Sequence, residues 1–367
     1  MPATAGETAT ENTYLIITTQ AGENVVLDAL AEESVIAEEE NVITASLTKA
    51  EATSVAGMDE TLYVEEDLDV VACGINDSGD EAGTGEWNLQ MIEAHGQEAD
   101  AASVASVKVA VIDSGVSYSD DINVVERKNF VEGDGKVSIL YEDGSGHGTA
   151  IAGIIGARDN DMGVTGVCPD VEIYSARVLD DSNHTSLSKL IAGINWAVEQ
   201  DVDIMNLSLG CAQDSPALHH ALAQAEQAGI LIIGAAGNGG NVMYPAAYNE
   251  VMAVGAVGTD GLHSENSSVG EELELVAPGE QILSTGMFDG VMTCGGSSMA
   301  AAHVTGVAAA LWGQDKGVTA GFIRSLMDVS AKVYDDTELY GYGLIDMENA
   351  FANYESVKTS YVESADV

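Results

Sequence analysis

Three polar residues stand where a folded chain can expose reactive groups. Asp113 ends the apolar run VKVAVID, His147 lies between two glycines before an apolar segment, and Ser298 opens a segment of small residues. Taken singly, such residues are more typical of a turn, a core histidine or a helix cap. Together they meet linked needs, because a serine attacks only when an imidazole takes its proton, and that imidazole needs a carboxylate to orient it. The set predicts nucleophilic catalysis.

A side-chain amide adds the group that this chemistry still lacks. Asn238 follows the apolar run GILII within the sequence GAAGNGG. An amide N–H at the end of a strand can bind the negative charge that develops on an attacked carbonyl oxygen. The sequence therefore predicts an acyl-transfer site that contains Asn238.

The candidate residues lie in a part of the chain where short apolar runs alternate with amphipathic stretches of helix length. Runs such as VKVAVID, VEIYSARVL and DIMNLSL are separated by amphipathic stretches such as LSKLIAGINWAVEQ. Apolar strands of this kind belong in a parallel sheet that is covered on both faces by helices. We therefore predict one α/β domain over residues 86–355.

The residues before this domain form a separate pattern. TYLIITT, VITASL and TLYVEED are strand-like, and helix-like segments over residues 23–33 and 48–58 lie between them. This predicts a small α+β domain over residues 13–73, followed by a linker rich in Gly and Asp over residues 74–85. We expect residues 1–12 to be a disordered start and residues 356–367 to be a solvated tail.

The charge and composition of the chain exclude several classes of binding partner. The chain has 367 residues with 12 basic and 60 acidic side chains, a formal charge of −48, which disfavours nucleic acid and anionic membranes as partners. No apolar run approaches the roughly 18 residues that span a bilayer, and the first residues lack the pattern of a signal peptide. Cys73, Cys168, Cys211 and Cys294 stand far apart. We expect reduced thiols rather than a zinc site or a disulfide framework.

The ordered motifs VIDSG, HGTAIAG, NLSLG, AAGNGG and GSSMAAAHVTG resemble those of the subtilisin-like serine proteases. The likeness continues to YGYGLIDMENA and so covers nearly all of residues 86–355. It implies a subtilisin-like three-layer α/β fold. In that fold Asp113, His147 and Ser298 would be the catalytic triad and Asn238 the oxyanion donor.

Two positions depart from the family pattern. Ser297 and Ala302 stand where the family usually has threonine and proline. Serine keeps the hydroxyl group, and loss of a proline in an early helical turn costs preorganisation only. We expect activity to be retained.

The segment TLYVEEDLDVVA resembles the end of the subtilisin propeptide, a ferredoxin-like inhibitor and folding chaperone. The resemblance implies that residues 13–73 are a propeptide and that the chain is a proenzyme. It places Val70, Val71, Ala72 and Cys73 in successive subsites and predicts self-cleavage between Cys73 and Gly74. An unrelated accessory domain is the alternative.

The same resemblance implies a cleft in which substrate pairs as an added strand. Its edges would be Asn183-His184-Thr185 and Ser208-Leu209-Gly210. The pocket for the fourth residue before the cut would be lined by Leu187, Leu190 and Leu209, although ordinary core packing explains these leucines equally well. The pocket next to the cut would have Ala235, Ala236 and Gly237 as walls and Met243 as its floor.

The segment ARDNDMGVTGV resembles the calcium loop of the family. Calcium prefers several oxygen ligands, some of them backbone carbonyls. The implied ligands are the Asp121 carboxylate, the Asn160 side chain and the carbonyls of Arg158, Met162 and Val164. A plain surface turn is the alternative.

The sequence thus predicts an exported, monomeric serine endopeptidase, made as a self-inhibited precursor, whose substrates are proteins or peptides. One alternative is a convertase-like protease specific for basic residues, suggested by GNGG, Asp180, Asp181 and the charge. It is disfavoured because VVAC contains no basic residue. The other alternative is a catalytically silent relative that acts as a binding or regulatory protein.

The acidic excess predicts that salt stabilises this protein. Self-repulsion among the charges lowers the stability of the compact state, and salt screens it within about 10 Å at 0.1 M. Raising sodium chloride from low to molar concentration should raise the thermal unfolding midpoint by a few degrees, as measured by circular dichroism. A midpoint that stays flat or falls would contradict this expectation.

Overall fold

A computed structural model describes residues 10–39, 41–76, 87–94, 106–131, 142–160 and 163–365. Within these residues the amino-terminal unit contains two α-helices and four strands. In chain order they are β1 (Glu11–Thr18), α1 (Glu23–Ala29), β2 (Val35–Glu39), β3 (Val42–Thr48), α2 (Lys49–Ala56) and β4 (Thr61–Glu66). The sheet is antiparallel with the order β2-β3-β1-β4, which is the βαββαβ arrangement of a ferredoxin-like unit.

Strand β1 is buried on both of its faces. Tyr14 and Ile16 join the small core beneath α1 and α2, whereas Leu15 and Ile17 join the core of the larger unit. Successive side chains of a strand point to opposite faces, so the sheet lies between its own helices and the rest of the protein. This unit therefore depends on the larger one for part of its buried surface.

Two short strands and a helix connect the units. They are β5 (Asp69–Ala72), β6 (Ile75–Asn76) and α3 (Trp87–Met91). Most of the predicted linker, from residue 77 onward, lies outside the described residues.

The larger unit begins with β7. Its elements follow in chain order: β7 (Lys108–Asp113), β8 (Val124–Asn129), α4 (His147–Gly156), β9 (Glu172–Arg177), β10 (His184–Ser186), α5 (Leu187–Glu199), β11 (Ile204–Leu207), β12 (Leu209–Gly210), α6 (Pro216–Gln227), β13 (Leu231–Ala235), β14 (Val251–Val257), β15 (Leu273–Pro278), β16 (Ile282–Thr285), β17 (Val291–Gly295), α7 (Ser297–Trp312), α8 (Ala320–Ser330), α9 (Thr337–Tyr340) and α10 (Met347–Ala365).

Seven of these strands form one parallel sheet. Its order is β15-β14-β13-β11-β7-β9-β8. Strands β11, β13 and β14 are buried along their whole length, as helices on both faces require. The predicted three-layer α/β domain is confirmed.

The carboxyl-terminal residues differ from the predicted tail. Helix α10 continues to Ala365, and Tyr354 and Tyr361 pack edge-on against Phe322 of α8. Lys358 also donates to Asp315 at 2.6 Å. Val357 and Tyr361, one helical turn apart, are partly buried against the core, so this segment packs on the domain although its composition is polar.

Two smaller differences lie in the amino-terminal unit. Helix α1 ends at Ala29, before the acidic residues 32 and 33, and β2 was not predicted. Strand β2 is an edge strand that ends in glutamates, so its sequence lacks the alternating apolar pattern.

The four cysteines are free and buried. Burial raises the pKa of both Cys73 and Cys294 to about 12. These thiols are therefore neutral, which fits the expected reduced state. Among the described residues, no helix has the length and apolar content needed to cross a bilayer.

Candidate active site

Polar residues from separate parts of the chain meet at the carboxyl edge of the parallel sheet. Strands β7, β11 and β13 are neighbours, and they bring Asp113, Ser208 and Asn238 to that edge. Helices α4 and α7 begin there with His147 and Ser298 near their amino ends. Functional groups in parallel sheets collect at this edge because the strands all end there.

A buried hydrogen bond joins two of these residues. Nδ1 of His147 lies 2.7 Å from Oδ1 of Asp113, and both side chains are fully buried. Burial alone would lower the pKa of His147, but the charge and hydrogen bond of Asp113 and the charge of Asp143 raise the pKa above its ordinary value. Nε2 has no hydrogen-bond partner among the described residues. The imidazole ring is therefore hydrogen-bonded to Asp113 through Nδ1, and its Nε2 faces the cleft.

Strand β5 of the chain itself occupies this cleft. It pairs antiparallel with β10 on one side and with β12 on the other. Ala72 donates its N–H to Asn183 at 3.1 Å, and Cys73 donates to Ser208 at 3.0 Å. The residues expected to form the cleft edges are thus the ones that pair with residues 70–73.

The carbonyl group of Cys73 lies beside Ser298. The backbone N–H of Ser298 donates to this oxygen at 3.2 Å. A Cβ built on Gly296, whose φ is +123°, would lie 2.6 Å from the Cys73 oxygen and 3.1 Å from Nδ2 of Asn238. Glycine leaves this space open, so the carbonyl oxygen and the amide nitrogen lie on the same side of Gly296.

Ser297 orients that amide. Its N–H donates to Oδ1 of Asn238 at 3.1 Å, and its hydroxyl donates to the same oxygen at 3.2 Å. The amide nitrogen is left to face the cleft. The hydroxyl that serine retains in place of the usual threonine therefore helps to orient the amide of Asn238.

The Ser298 hydroxyl is turned away from the imidazole. It donates to the carbonyl oxygen of Ser208 at 3.0 Å, the oxygen that also accepts from Cys73. A Cβ placed on Gly74 would lie 2.6 Å from Nε2 of His147 and 2.9 Å from Cε of Met299. Gly74 therefore occupies the space between the imidazole and Met299, a close approach that the sequence pattern did not predict.

Residues after Gly74 pair with a second edge. Ile75 lies opposite Gly295 and Asn76 lies opposite Cys294, both on β17. The backbone is thus paired on both sides of the Cys73–Gly74 peptide bond.

The predicted pocket residues lie around β5. Met243 lies next to Gly210 and Gly237, and a Cβ on Gly210 would be 3.2 Å from Cβ of Met243 and 3.6 Å from Sγ of Cys73. Ala235 and Ala236 are fully buried nearby in the chain. Leu187, Leu190 and Leu209 are fully buried in the large core, which also contains Val70 of β5.

Two carboxylates of the amino-terminal unit lie at the starts of helices in the larger unit. Glu65 accepts from the Ser215 hydroxyl and from the N–H of Ala217, each at 2.9 Å, at the start of α6. Asp67 accepts from the N–H and the hydroxyl of Ser188 at 2.9 and 2.8 Å in the first turn of α5. The first N–H groups of a helix lack partners and favour negative charge. The acidic residues EED at the end of β4 are visible in the sequence, but nothing in that segment indicates which helices they contact.

Two side chains of the expected calcium loop, those of Asp121 and Asn160, lie next to each other. Asp121 is 5% exposed, and its carboxylate accepts from Nδ2 of Asn160 at 3.0 Å and from the Thr285 hydroxyl at 3.2 Å. Within the described ranges no basic side chain forms an ion pair with Asp121, and no three acidic, His or Cys side chains form a metal-binding group. Met162 lies outside the described residues. A buried, unpaired carboxylate and an amide side chain fit a calcium ion in donor type.

Comparison with known proteins gives a consistent result. The profile of the subtilase family matches residues 105–343. Subtilisin DY of Bacillus licheniformis is 38% identical over 271 residues, which are 72% of this chain and 97% of that protein. The thermostable alkaline protease of Halalkalibacterium halodurans is 34% identical over 84% of this chain and 82% of its own.

A further relative aligns with residues before the family match. The minor extracellular protease Epr of Bacillus subtilis is 32% identical over 94% of this chain and 55% of its own length. The likeness therefore includes residues of the amino-terminal unit. The fold, the arrangement of residues at the carboxyl edge and these matches show that the chain belongs to the subtilase family and is a subtilisin-like serine endopeptidase.

Proposed function

We propose that this chain is a self-inhibited precursor that cuts its own Cys73–Gly74 bond and then hydrolyses other peptides. The observation that carries the proposal is the position of the Cys73 carbonyl, which accepts from the N–H of Ser298 at 3.2 Å while β5 and β6 pair on either side. A carbonyl held in this way is oriented for attack. Residues 13–73 then act as the propeptide.

The geometry supports a role for each triad member. Rotation of the Ser298 side chain moves Oγ from Ser208 towards the Cys73 carbonyl carbon, and Nε2 of His147 accepts its proton. Asp113, already 2.7 Å from Nδ1, stabilises the imidazolium. The oxygen of the tetrahedral intermediate is bound by the Ser298 N–H and the Asn238 amide.

Collapse of that intermediate breaks the bond to Gly74. His147 returns the proton to the Gly74 nitrogen, which becomes a free amine, and Cys73 remains as an acyl ester on Ser298. The closeness of Gly74 to Nε2 supports this transfer. Water then attacks the ester, with His147 again as the base, and releases the Cys73 carboxylate.

The cut propeptide stays bound as an inhibitor in this proposal. Strand β5 keeps its pairing with β10 and β12, while Glu65 and Asp67 keep their bonds at α6 and α5. Burial raises the pKa of Glu65, so this carboxyl group binds a proton at a higher pH than an ordinary glutamate does. Substrates are proteins or peptides that pair with the same two edges once the propeptide leaves.

We also propose calcium at the loop around Asp121 and export of a monomeric enzyme. Asp121, Asn160 and the carbonyls of Arg158, Met162 and Val164 would hold the ion, which stabilises the loop and takes no part in catalysis. Export is supported by the name of one relative, an extracellular protease.

The two alternative functions are weaker. A protease specific for basic residues is disfavoured because Val70 to Cys73, which occupy the cleft, include no basic side chain. A catalytically silent relative is disfavoured by the buried Asp113–His147 pair beside Ser298. A fluorophosphonate probe tests the silent alternative directly, because it labels only an activated serine.

Ser298→Ala should give a folded, uncut chain, because the nucleophile is lost and the core is unchanged. Intact mass spectrometry should find the full-length mass, whereas wild type loses its first 73 residues. Ser360→Ala, on the exposed face of α10, is the matched control and should be processed normally. Processing of Ser298→Ala in a protease-free preparation would refute the triad.

Asn238→Ala should lower kcat by about 100- to 1,000-fold with little change in KM, because an oxyanion donor acts mainly in the transition state. Steady-state kinetics on a short peptide measure both constants. Asn241→Ala, at an exposed site on the same loop, should leave them unchanged. An unaltered kcat in Asn238→Ala would exclude this role.

Wild type should prefer small, uncharged residues immediately before the cut. Met243 lies beside the space that Cys73 occupies, leaving little depth for an aromatic ring and no negative partner for Arg or Lys. Met243→Gly should recover activity on Phe and Tyr substrates, since each methylene that newly fits contributes about 1–3 kcal/mol. Profiling with a peptide library tests both statements. Dominance of Phe, Tyr, Arg or Lys in wild type would contradict them.

Chelation should lower the thermal midpoint. An ion present at 100 times its Kd stabilises the folded state by about 2.7 kcal/mol, which corresponds to about 5–10 °C for a domain of this size. Differential scanning calorimetry with chelator, and then with excess calcium, measures the shift. Asp121→Asn should be insensitive to chelator. If neither chelator nor added calcium changes the thermal midpoint of protein shown to be metal-free, the site is excluded.

A further inference from the structure

A third carboxylate, outside the motifs considered so far, lies close to the catalytic residues. Asp143 is 1% exposed and precedes α4. Its Oδ1 accepts from the Ser114 hydroxyl at 2.8 Å and from the N–H groups of Ser145 and Gly146 at 3.1 and 2.9 Å. Its Oδ2 accepts from the N–H and the hydroxyl of Thr149 at 3.0 and 2.6 Å. Three of these donors are backbone N–H groups, which can only donate, so the site is built for a carboxylate.

Ser114 connects this carboxylate to the histidine and its partner. Its N–H donates to Oδ1 of Asp113 at 2.7 Å, and its hydroxyl donates to Asp143. The same hydroxyl accepts from the N–H of Gly148, next to His147, at 2.9 Å. One serine therefore joins Asp113, Asp143 and the first turn of α4.

Asp143 forms no ion pair with a basic side chain among the described residues. Burial raises the pKa of Asp143, and its hydrogen bonds from Thr149, Gly146 and Ser114 oppose that rise by favouring the charged form. A buried carboxylate without a cation is costly unless hydrogen bonds or a nearby positive charge compensate it. His147 gains positive charge during the reaction, and the charge of Asp143 contributes to raising the pKa of His147. The buried charge is therefore placed where the reaction creates a positive one.

The other charged groups around this site are accounted for. The charges that act on His147 are those of Asp113, at the end of β7, and Asp143, in the loop before α4. Burial raises the pKa of Cys73, which follows β5, to about 12 and keeps this thiol neutral. Glu142 forms an ion pair with Arg127 at 3.0 Å. Asp181, which lies against Gly144, forms an ion pair with the buried Arg177 at 2.7 Å. Asp113 and Asp143 are thus the two negative charges that act on the imidazole.

We propose that Asp143 is a positioning residue for the proposed self-cleaving triad, which holds His147 through the first turn of α4 and stabilises its imidazolium form. The inference rests on the proposed function. A helix cap alone would account for the bonds to Thr149 but would leave the imidazole electrostatics unchanged.

The test compares Asp143→Asn with Ser114→Ala in the full chain. Asp143→Asn removes the negative charge and keeps the shape of the side chain. Ser114→Ala keeps the charge of Asp143 and removes the hydroxyl that connects it to Asp113 and α4. The pH dependence of kcat/KM on a peptide substrate is measured per active site, counted with a fluorophosphonate probe. Thermal midpoints are recorded in parallel.

Asp143→Asn should move the acid limb of kcat/KM to lower pH by about 0.5–1 unit, because a lost negative charge disfavours the imidazolium. Its kcat should fall about tenfold. Ser114→Ala should keep the acid limb in place. An unchanged limb in Asp143→Asn, with only a lower thermal midpoint, would show that Asp143 is a cap and would overturn the proposal.

A second variant applies if Asp143→Asn does not fold. Asp143→Glu keeps the charge and shifts it by one methylene, so the acid limb should stay in place while kcat falls and KM does not. An unchanged kcat, or a shifted limb, would overturn the proposal. Absence of probe labelling in wild type that has been cut and freed of its propeptide would instead refute the proposed function.

Discussion

The pairing of residues 69–73 between β10 and β12 is the constraint on which the site depends. It fixes the backbone from Asp69 to Cys73 in an extended form, so the Cys73 carbonyl meets the Ser298 N–H without any further adjustment. Because the segment belongs to the same chain, no translational freedom is lost when it enters the cleft. The pairing of Ile75 and Asn76 with β17 restrains the other side of the bond.

The parallel sheet supplies the rigid support for this arrangement. Its neighbouring strands β7, β11 and β13 are buried, and the fully buried helices α4 and α7 pack against each other and against the sheet. Side chains carried by such elements cannot shift without disturbing a close-packed core. The polar residues there are accordingly held by hydrogen bonds, as Ser297 holds Asn238 and Asp113 holds His147.

Sequence patterns predicted the parts of this structure that depend on local order. Apolar runs located β7, β9 and β11, and glycine-rich motifs located His147 and Ser298 at the starts of helices. Contacts between segments that lie far apart in the chain could not be predicted from these local patterns. Glu65 reaches Ala217, a residue 152 positions away, and nothing near either residue encodes that contact. The direction of the Ser298 hydroxyl was missed for the same reason, because it depends on Ser208, 90 positions away.

The central claim is that the Cys73–Gly74 bond is the one the enzyme presents to its own serine. Amino-terminal sequencing of the purified, processed wild-type chain tests this most directly. The structure predicts that the new chain begins at Gly74, with Ile75 and Asn76 next. A first residue elsewhere would mean that the strand observed in the cleft is not the substrate of the first reaction.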